Sequence, residues 1–376
     1  MTQPPHPSRS ASHLLPRGEK DVIGRRALLA APLAIGALAA CDRLAVAEPS
    51  PVDVPPLKSV APFPIGSALM SGHLDDPAWV ALARAQVNQL TPEWEMKMEY
   101  ILQSPDRLTF DAPDRIAAAC QAEGVRLHGH ALIWYSQGEQ AFSGFDRTHF
   151  ARAFDRYIAE VAGRYRGKLV SWDVVNEPIA EDGNGLRDSH WSRNLGDDGY
   201  MIRAFEQAKL ADPDAVLFVN DYNLENNPLK GATFLRTVER LLKAGAPIGG
   251  LGTQSHLDIE IPAGQITTLM RELGSFGLPV HVSELDASLR RERGGDFRSR
   301  AQRLAQQQAR VVELAEAFMA LPERQRFAFT AWGLRDTDHW LRRDDKDDGK
   351  DQPVLFDAAG RPKPLTAAVA EVFGRG

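Results

Sequence analysis

The sequence predicts an α/β protein: a (β/α)8 TIM barrel forming one domain over residues 59–376. Three observations lead there. Apolar or β-branched runs of strand length recur eight times, at residues 63–70, 87–90, 125–134, 169–175, 215–220, 249–256, 279–284 and 327–333. Amphipathic segments of helical period lie between them. The runs lead into polar or aromatic residues (Glu93, His130, Trp134, Glu177, Asp221, His256, Glu284 and Trp332) that strand packing alone does not call for. In such a barrel the carboxyl ends of the strands share one face, where reactive groups gather. A doubly wound open sheet is the alternative, but no Gly-rich phosphate turn follows the first run.

Taken in order, residues 1–47 read as an export signal. Arg25-Arg26 precede an Ala- and Leu-rich stretch at 27–40 that is too short for a membrane span and carries Pro32. The paired arginines predict folded export by the twin-arginine route, to a periplasmic or extracellular location. Leu38-Ala39-Ala40-Cys41 resembles a bacterial lipobox, which would make Cys41 a lipidated first residue; Ala45-Val46-Ala47 is a competing ordinary cleavage site. Residues 48–58 are Pro-rich and read as an extended linker. Inside the barrel, Phe150, Phe154, Tyr157, Ile158, Val161 and Tyr165 recur at helical intervals, with Asp155, Arg156 and Glu160 opposite. Leu235, Val238, Leu241 and Leu242 repeat the pattern, as do Leu304, Val311, Leu314 and Phe318. A last helix is expected from about Pro364 through Val369 and Val372.

Composition narrows the partners. At 43% hydrophobic and 25% charged residues the chain is of ordinary globular type. Its formal net charge is −6 and no basic stripe follows a helix, which argues against nucleic acid. Two cysteines, Cys41 and Cys120, cannot make a disulfide framework, and Cys120 sits on a core-facing pattern with Ile116, Ala117 and Ala119. No His/Cys cluster has metal-ligand spacing, so neither metal nor cofactor is expected. The run Asp344-Asp345-Lys346-Asp347-Asp348-Gly349 fails as a calcium loop because Lys346 takes the third ligand position. A monomer is expected, touching a membrane only through a lipid on Cys41.

Two runs end in carboxylates: Trp172-Asp173-Val174-Val175-Asn176-Glu177-Pro178 and Val280-His281-Val282-Ser283-Glu284-Leu285-Asp286. A carboxylate pair at the ends of two buried strands is the minimum apparatus for cleaving a glycosidic bond. Further motifs are Thr91-Pro92-Glu93-Trp94-Glu95-Met96-Lys97, His128-Gly129-His130-Ala131-Leu132-Ile133-Trp134, Asn220-Asp221-Tyr222-Asn223, Gln254-Ser255-His256-Leu257 and Trp332-Gly333. With these in order, the chain resembles glycoside hydrolase family 10, dominated by retaining endo-β-1,4-xylanases, from Phe63 to the last helix.

The resemblance implies a division of labour. Glu177 would protonate the departing oxygen and then activate water, while Glu284 would attack the anomeric carbon, the two standing ~5.5 Å apart. His256, oriented by Asp286, would support the ionised partner, and Asn176 would contact the sugar's 2-hydroxyl. Glu93, Lys97, His130, Trp134, Gln254 and Trp332 would line the glycone side, with Trp340 closing over it and Tyr222 as a further wall. Two positions depart from the family pattern: Trp94 replaces the usual asparagine and Tyr135 the usual histidine. Trp94 is expected to reshape or shorten the second glycone subsite. The departures leave another β-linked glycan or a short oligosaccharide as an alternative substrate; a non-catalytic surface sugar-binding protein is a more distant reading.

Overall fold

The computed structural model describes residues 53–104, 107–289, 297–343 and 349–375. The export signal with Cys41, residues 48–52 of the linker, Gly294-Gly295 and residues 344–348 of the acidic run lie outside the described residues. Eight parallel strands make the barrel: β1 (Ile65–Leu69), β2 (Gln89–Pro92), β3 (Arg126–Gly129), β4 (Ser171–Asn176), β5 (Val216–Asp221), β6 (Gly250–Thr253), β7 (Val280–Leu285) and β8 (Arg326–Ala331). Each pairs with its neighbours in sequence, β1 pairs with β8 and β3 with β4, so the sheet closes on itself. The principal helices are α1 (Pro77–Gln86), α2 (Asp111–Glu123), α3 (Arg147–Arg164), α4 (Asp197–Ala211), α5 (Pro228–Lys243), α6 (Gln265–Gly274), α7 (Arg300–Met319) and α8 (Pro364–Phe373). Among the described residues no helix is long and apolar enough to cross a membrane.

Local chemistry explains the helix starts. Asp76 accepts from the Ala78 and Trp79 N–H groups ahead of Pro77, and Asn227 does the same ahead of Pro228; both pairings satisfy first-turn donors. The apolar stripe of α3 is buried as its spacing predicts, with Phe154, Ile158, Val161 and the following Tyr165 fully enclosed. Cys120 packs in the core, and burial pushes its thiol up to about 12. The barrel interior is partly polar. His281 Nε2 lies 2.9 Å from Thr330 Oγ1, and His128 Nδ1 lies 2.7 Å from Ser171 Oγ. Burial holds His281 well below its usual range, which keeps its imidazole neutral.

One predicted strand is divided. The run 125–134 appears as β3 and a separate pair, Ile133–Trp134. Gly129 pairs with Trp172, but Ile133 pairs with Val175, so four steps on one strand match three on its neighbour. The extra residue breaks the ladder at His130, as a bulge does.

Candidate active site

The two strands that deliver the glutamates are also irregular beside them. β4 gains one residue on β5 between the pairs Asp173↔Phe218 and Val175↔Val219. β7 gains one on β8 between Val282↔Phe329 and Leu285↔Ala331. Bulges of this kind re-aim side chains and cluster near functional sites. Glu284 sits within β7, nearly buried, rather than beyond its end. Glu177 follows β4 with φ at 58°, in the left-handed region that a side chain with a Cβ occupies at a cost. Its N–H donates to the Asn220 carbonyl at 2.7 Å, and its own carbonyl accepts from Arg187 Nε at 3.2 Å.

A chain of amides joins the two carboxylates. Asn220 Nδ2 donates to Glu284 Oε1 at 2.9 Å and to Asn176 Oδ1 at 3.0 Å. Gln254 Nε2 donates to the same Asn176 oxygen at 3.3 Å and to Glu177 Oε1 at 3.1 Å. Asn176 Nδ2 reaches Glu177 Oε1 at 3.3 Å. Ser283 Oγ donates to Asn220 Oδ1 at 2.8 Å, which fixes which end of that amide faces Glu284.

The other oxygen of Glu284 faces a histidine. His256 Nε2 lies 3.4 Å from Glu284 Oε2, while its Nδ1 lies 2.7 Å from Asp286 Oδ2. Burial alone would lower the His256 pKa, but Asp286, followed by Glu284, outweighs it and raises the group to about 10. His256 is therefore an imidazolium at neutral pH. Asp286 is held well below the usual carboxylate range: burial works against this, and His256 and His339 overcome it. His339 accepts the Leu341 N–H at Nδ1, so its proton sits on Nε2 and points at Asp286 Oδ2, 2.7 Å away. Trp340 Nε1 donates to that oxygen at 3.3 Å, which ties the expected cover of the cleft to the support of Glu284.

Beneath the pair, Asp173 Oδ2 lies 2.8 Å from His130 Nδ1 and 3.0 Å from His128 Nε2. His130, Asp173 and Glu284 each offer one ligand atom within 4.8 Å of the other two, a spacing that could hold a metal. Their hydrogen bonding fits a structural floor better: His130 Nδ1 is engaged by Asp173, and Glu284 Oε1 by Asn220. Trp332 packs edge-on against the His130 ring at 5.2 Å. Lys97 Nζ stands 4.7 Å over the Trp134 ring, and Trp134 pairs with Asn176 in the sheet. Glu93 is turned toward a residue the sequence did not single out, with both carboxylate oxygens 2.8 Å from Arg343.

Past Glu177 the cleft changes character. Tyr222 Oη accepts from Arg187 Nη2 at 3.0 Å, and Arg187 lies 4.0 Å over the Tyr135 ring. Lys230 Nζ stands 3.5 Å from the Tyr222 ring centroid and the Arg187 guanidinium 5.8 Å from it, so two cations already contact the tyrosine expected to form a wall. Asp221, at the end of β5, pairs with Lys230 at 3.1 Å, and both are fully buried. Burial raises Asp221 to about 6 against the pull of Lys230, with Glu177 pushing the same way as burial. Asp221 is thus a core ion-pair partner.

The predicted residues lie at one end of the barrel and most are linked by these contacts, whereas the Glu93 carboxylate is engaged by Arg343 rather than by another predicted residue. Sequence reasoning did not single out Asn220, Asp173, Arg187, His339 or Arg343 as site residues. Asn220 and Asp173 were visible inside quoted motifs, whereas the other three lie in loops without a periodic signal.

A closed (β/α)8 barrel with two bridged carboxylates at its carboxyl end defines the glycosidase class of site. Residues 57–372 match the glycosyl hydrolase family 10 profile, and the chain belongs to that family. It is 33% identical to endo-1,4-beta-xylanase A of Cellvibrio japonicus over 346 residues, 84% of this chain and 56% of that protein. The chain thus spans little more than half the length of that relative. Against endo-1,4-beta-xylanase B of Paenibacillus barcinonensis the identity is 34%, covering 80% of this chain and 92% of the other. A solved thermostable mutant of a xylanase from Cellvibrio japonicus superposes with a TM-score of 0.77 at 32% identity, covering 85% of this chain and all of that one.

Proposed function

We propose that this protein is an exported endo-β-1,4-xylanase that cleaves xylan or xylo-oligosaccharides with retention, by double displacement. The observation that carries this reading is the amide chain from Glu177 through Gln254, Asn176 and Asn220 to Glu284. It couples two carboxylates while leaving them different surroundings. Glu284 is nearly buried beside the His256 imidazolium, which suits an anionic nucleophile. Glu177 is half-buried next to Arg187 and Tyr135, on the side from which a leaving group would depart. In the first step Glu177 gives its proton to the glycosidic oxygen as Glu284 bonds to the anomeric carbon. In the second, Glu177 takes a proton from water, which displaces Glu284 from the glycosyl-enzyme. The names of the relatives support xylan as the substrate.

Azide rescue separates the roles. With an aryl xylobioside, Glu177→Ala should accumulate glycosyl-enzyme and, with azide, yield a β-azide; Glu284→Ala should yield an α-azide. Interchanged anomers would reverse the assignments, and no rescue in either variant would remove the mechanism. Trp94 and Tyr135 favour testing a second substrate class. A product profile on several β-glycans tests it, and preference for a glycan other than xylan would replace the substrate. Mass spectrometry of the native amino terminus tests export processing: a lipidated Cys41 or a terminus after Ala47 is expected, and an intact Met1 would count against export.

A further inference from the structure

The loops after β1, β2 and β8 are laced together by charge. Arg335, after β8, lies 2.9 Å from Asp76, after β1, and 2.9 Å from Asp338. His73, also after β1, stands 4.0 Å from Asp338, but burial lowers its pKa, so it packs there without adding a charge. Arg343 donates to the Asp338 carbonyl and grips Glu93, after β2, through two parallel bonds of 2.8 Å. Barrel order places β1 between β2 and β8, so this ladder spans one corner of the barrel mouth. Trp94, beside Glu93, is half-buried in the same corner.

We infer that Arg343 is a specificity-determining residue that caps the glycone arm of the cleft by taking up the Glu93 carboxylate and closing the corner over β1. The inference rests on the xylanase reading and deepens it. A free buried carboxylate would accept hydrogen bonds from sugar hydroxyls. Here a sugar must compete with a forked guanidinium whose charge-assisted bonds are roughly twice as strong as neutral ones. Arginine does not deprotonate in proteins, so the grip persists wherever Glu93 is ionised. Glu93 is only 5% exposed, so it cannot swing into solvent to serve both partners. Extending a substrate at its non-reducing end past this corner therefore adds little binding.

The test is kcat/KM across linear β-1,4-xylo-oligosaccharides from xylobiose to xylohexaose. Wild type is expected to reach a plateau early in the series. Arg343→Ala should gain about tenfold on the longer members, the scale of one hydrogen bond to a charged group. Adding Glu93→Gln to Arg343→Ala should abolish the gain. Arg343→Lys, which keeps the charge but loses the fork, should fall between, and thermal unfolding of each variant checks that it is folded. A chain-length profile unchanged in folded Arg343→Ala and Arg343→Lys, or lowered equally at every length, would overturn the inference. A folded wild type inactive on the whole series would instead overturn the xylanase reading beneath it.

Discussion

Over β1 the barrel mouth is laced by pairs that water partly reaches, whereas over β5 the pairing sinks into the core. Arg335 and Arg343 retain 17% and 26% of their side-chain exposure; Lys230 and Asp221 retain none. Above that buried pair the surface is looser, with Glu181 60% exposed beside Arg187. The contrast separates two uses of charge. A pair that water reaches, such as Arg335–Asp76, aligns loops and can be removed at modest cost, even though Glu93 and Asp338 in the same corner are themselves buried. A buried pair cannot lose one member without stranding the other in a medium that solvates it poorly. At Arg335, then, the corner that looks more heavily braced is predicted to be the less sensitive to a single substitution.

Removing a buried partner should have the largest effect. Lys230→Met leaves Asp221 unpaired and should cost about 3–5 kcal/mol in urea unfolding, with part recovered by adding Asp221→Asn. A loss no larger than that of Arg335→Ala would erase the distinction between the two corners.

Next comes the pH dependence of His256. Its folded pKa, about 10, lies above the ordinary 6.5, so the group binds its proton more tightly when folded. That contribution to stability is fully present below about pH 6.5, declines above it and is lost as pH rises through about 10. Thermal melts across this window should show the decline in wild type, and Asp286→Asn should flatten it. An equal slope in the variant would detach Asp286 from the histidine's charge.

The smallest effects belong to the rim. Arg335→Ala should lower stability by about 1 kcal/mol, seen as a Tm a few degrees lower. Arg193→Ala removes pairs with Glu139 and Asp188 in which the arginine is half exposed, and should leave Tm unchanged within about 1 °C. A larger loss at Arg193 than at Arg335 would show that lacing the β1 corner adds nothing.

Much of this architecture could be read in the chain. All eight expected runs overlap a strand, most clearly at β4, β5 and β7, where apolar β-branched residues cluster, whereas Gln89–Pro92 begins two residues later than the run 87–90 suggested. The glutamates were visible because each interrupts such a run. The division of 125–134 was not visible, since a bulge depends on the register of a neighbouring strand. His339 was passed over beside Trp340 because nothing local distinguishes a loop histidine from one aimed at Asp286. Glu93 was expected to meet sugar, yet its partner stands 250 residues away, beyond any pattern of local period.

The amino-acid order by itself determined the alternation of strand and helix, the burial of the strands and the identity of the paired acids. Each of these follows from side-chain period and polarity over a few neighbouring positions. Barrel closure decided which donors meet each carboxylate: Asn220 and His256 for Glu284, Gln254 for Glu177 and Arg343 for Glu93. Hydrogen bonds act only over about 3 Å, so these partnerships arise where strand register and loop path bring distant residues to that range.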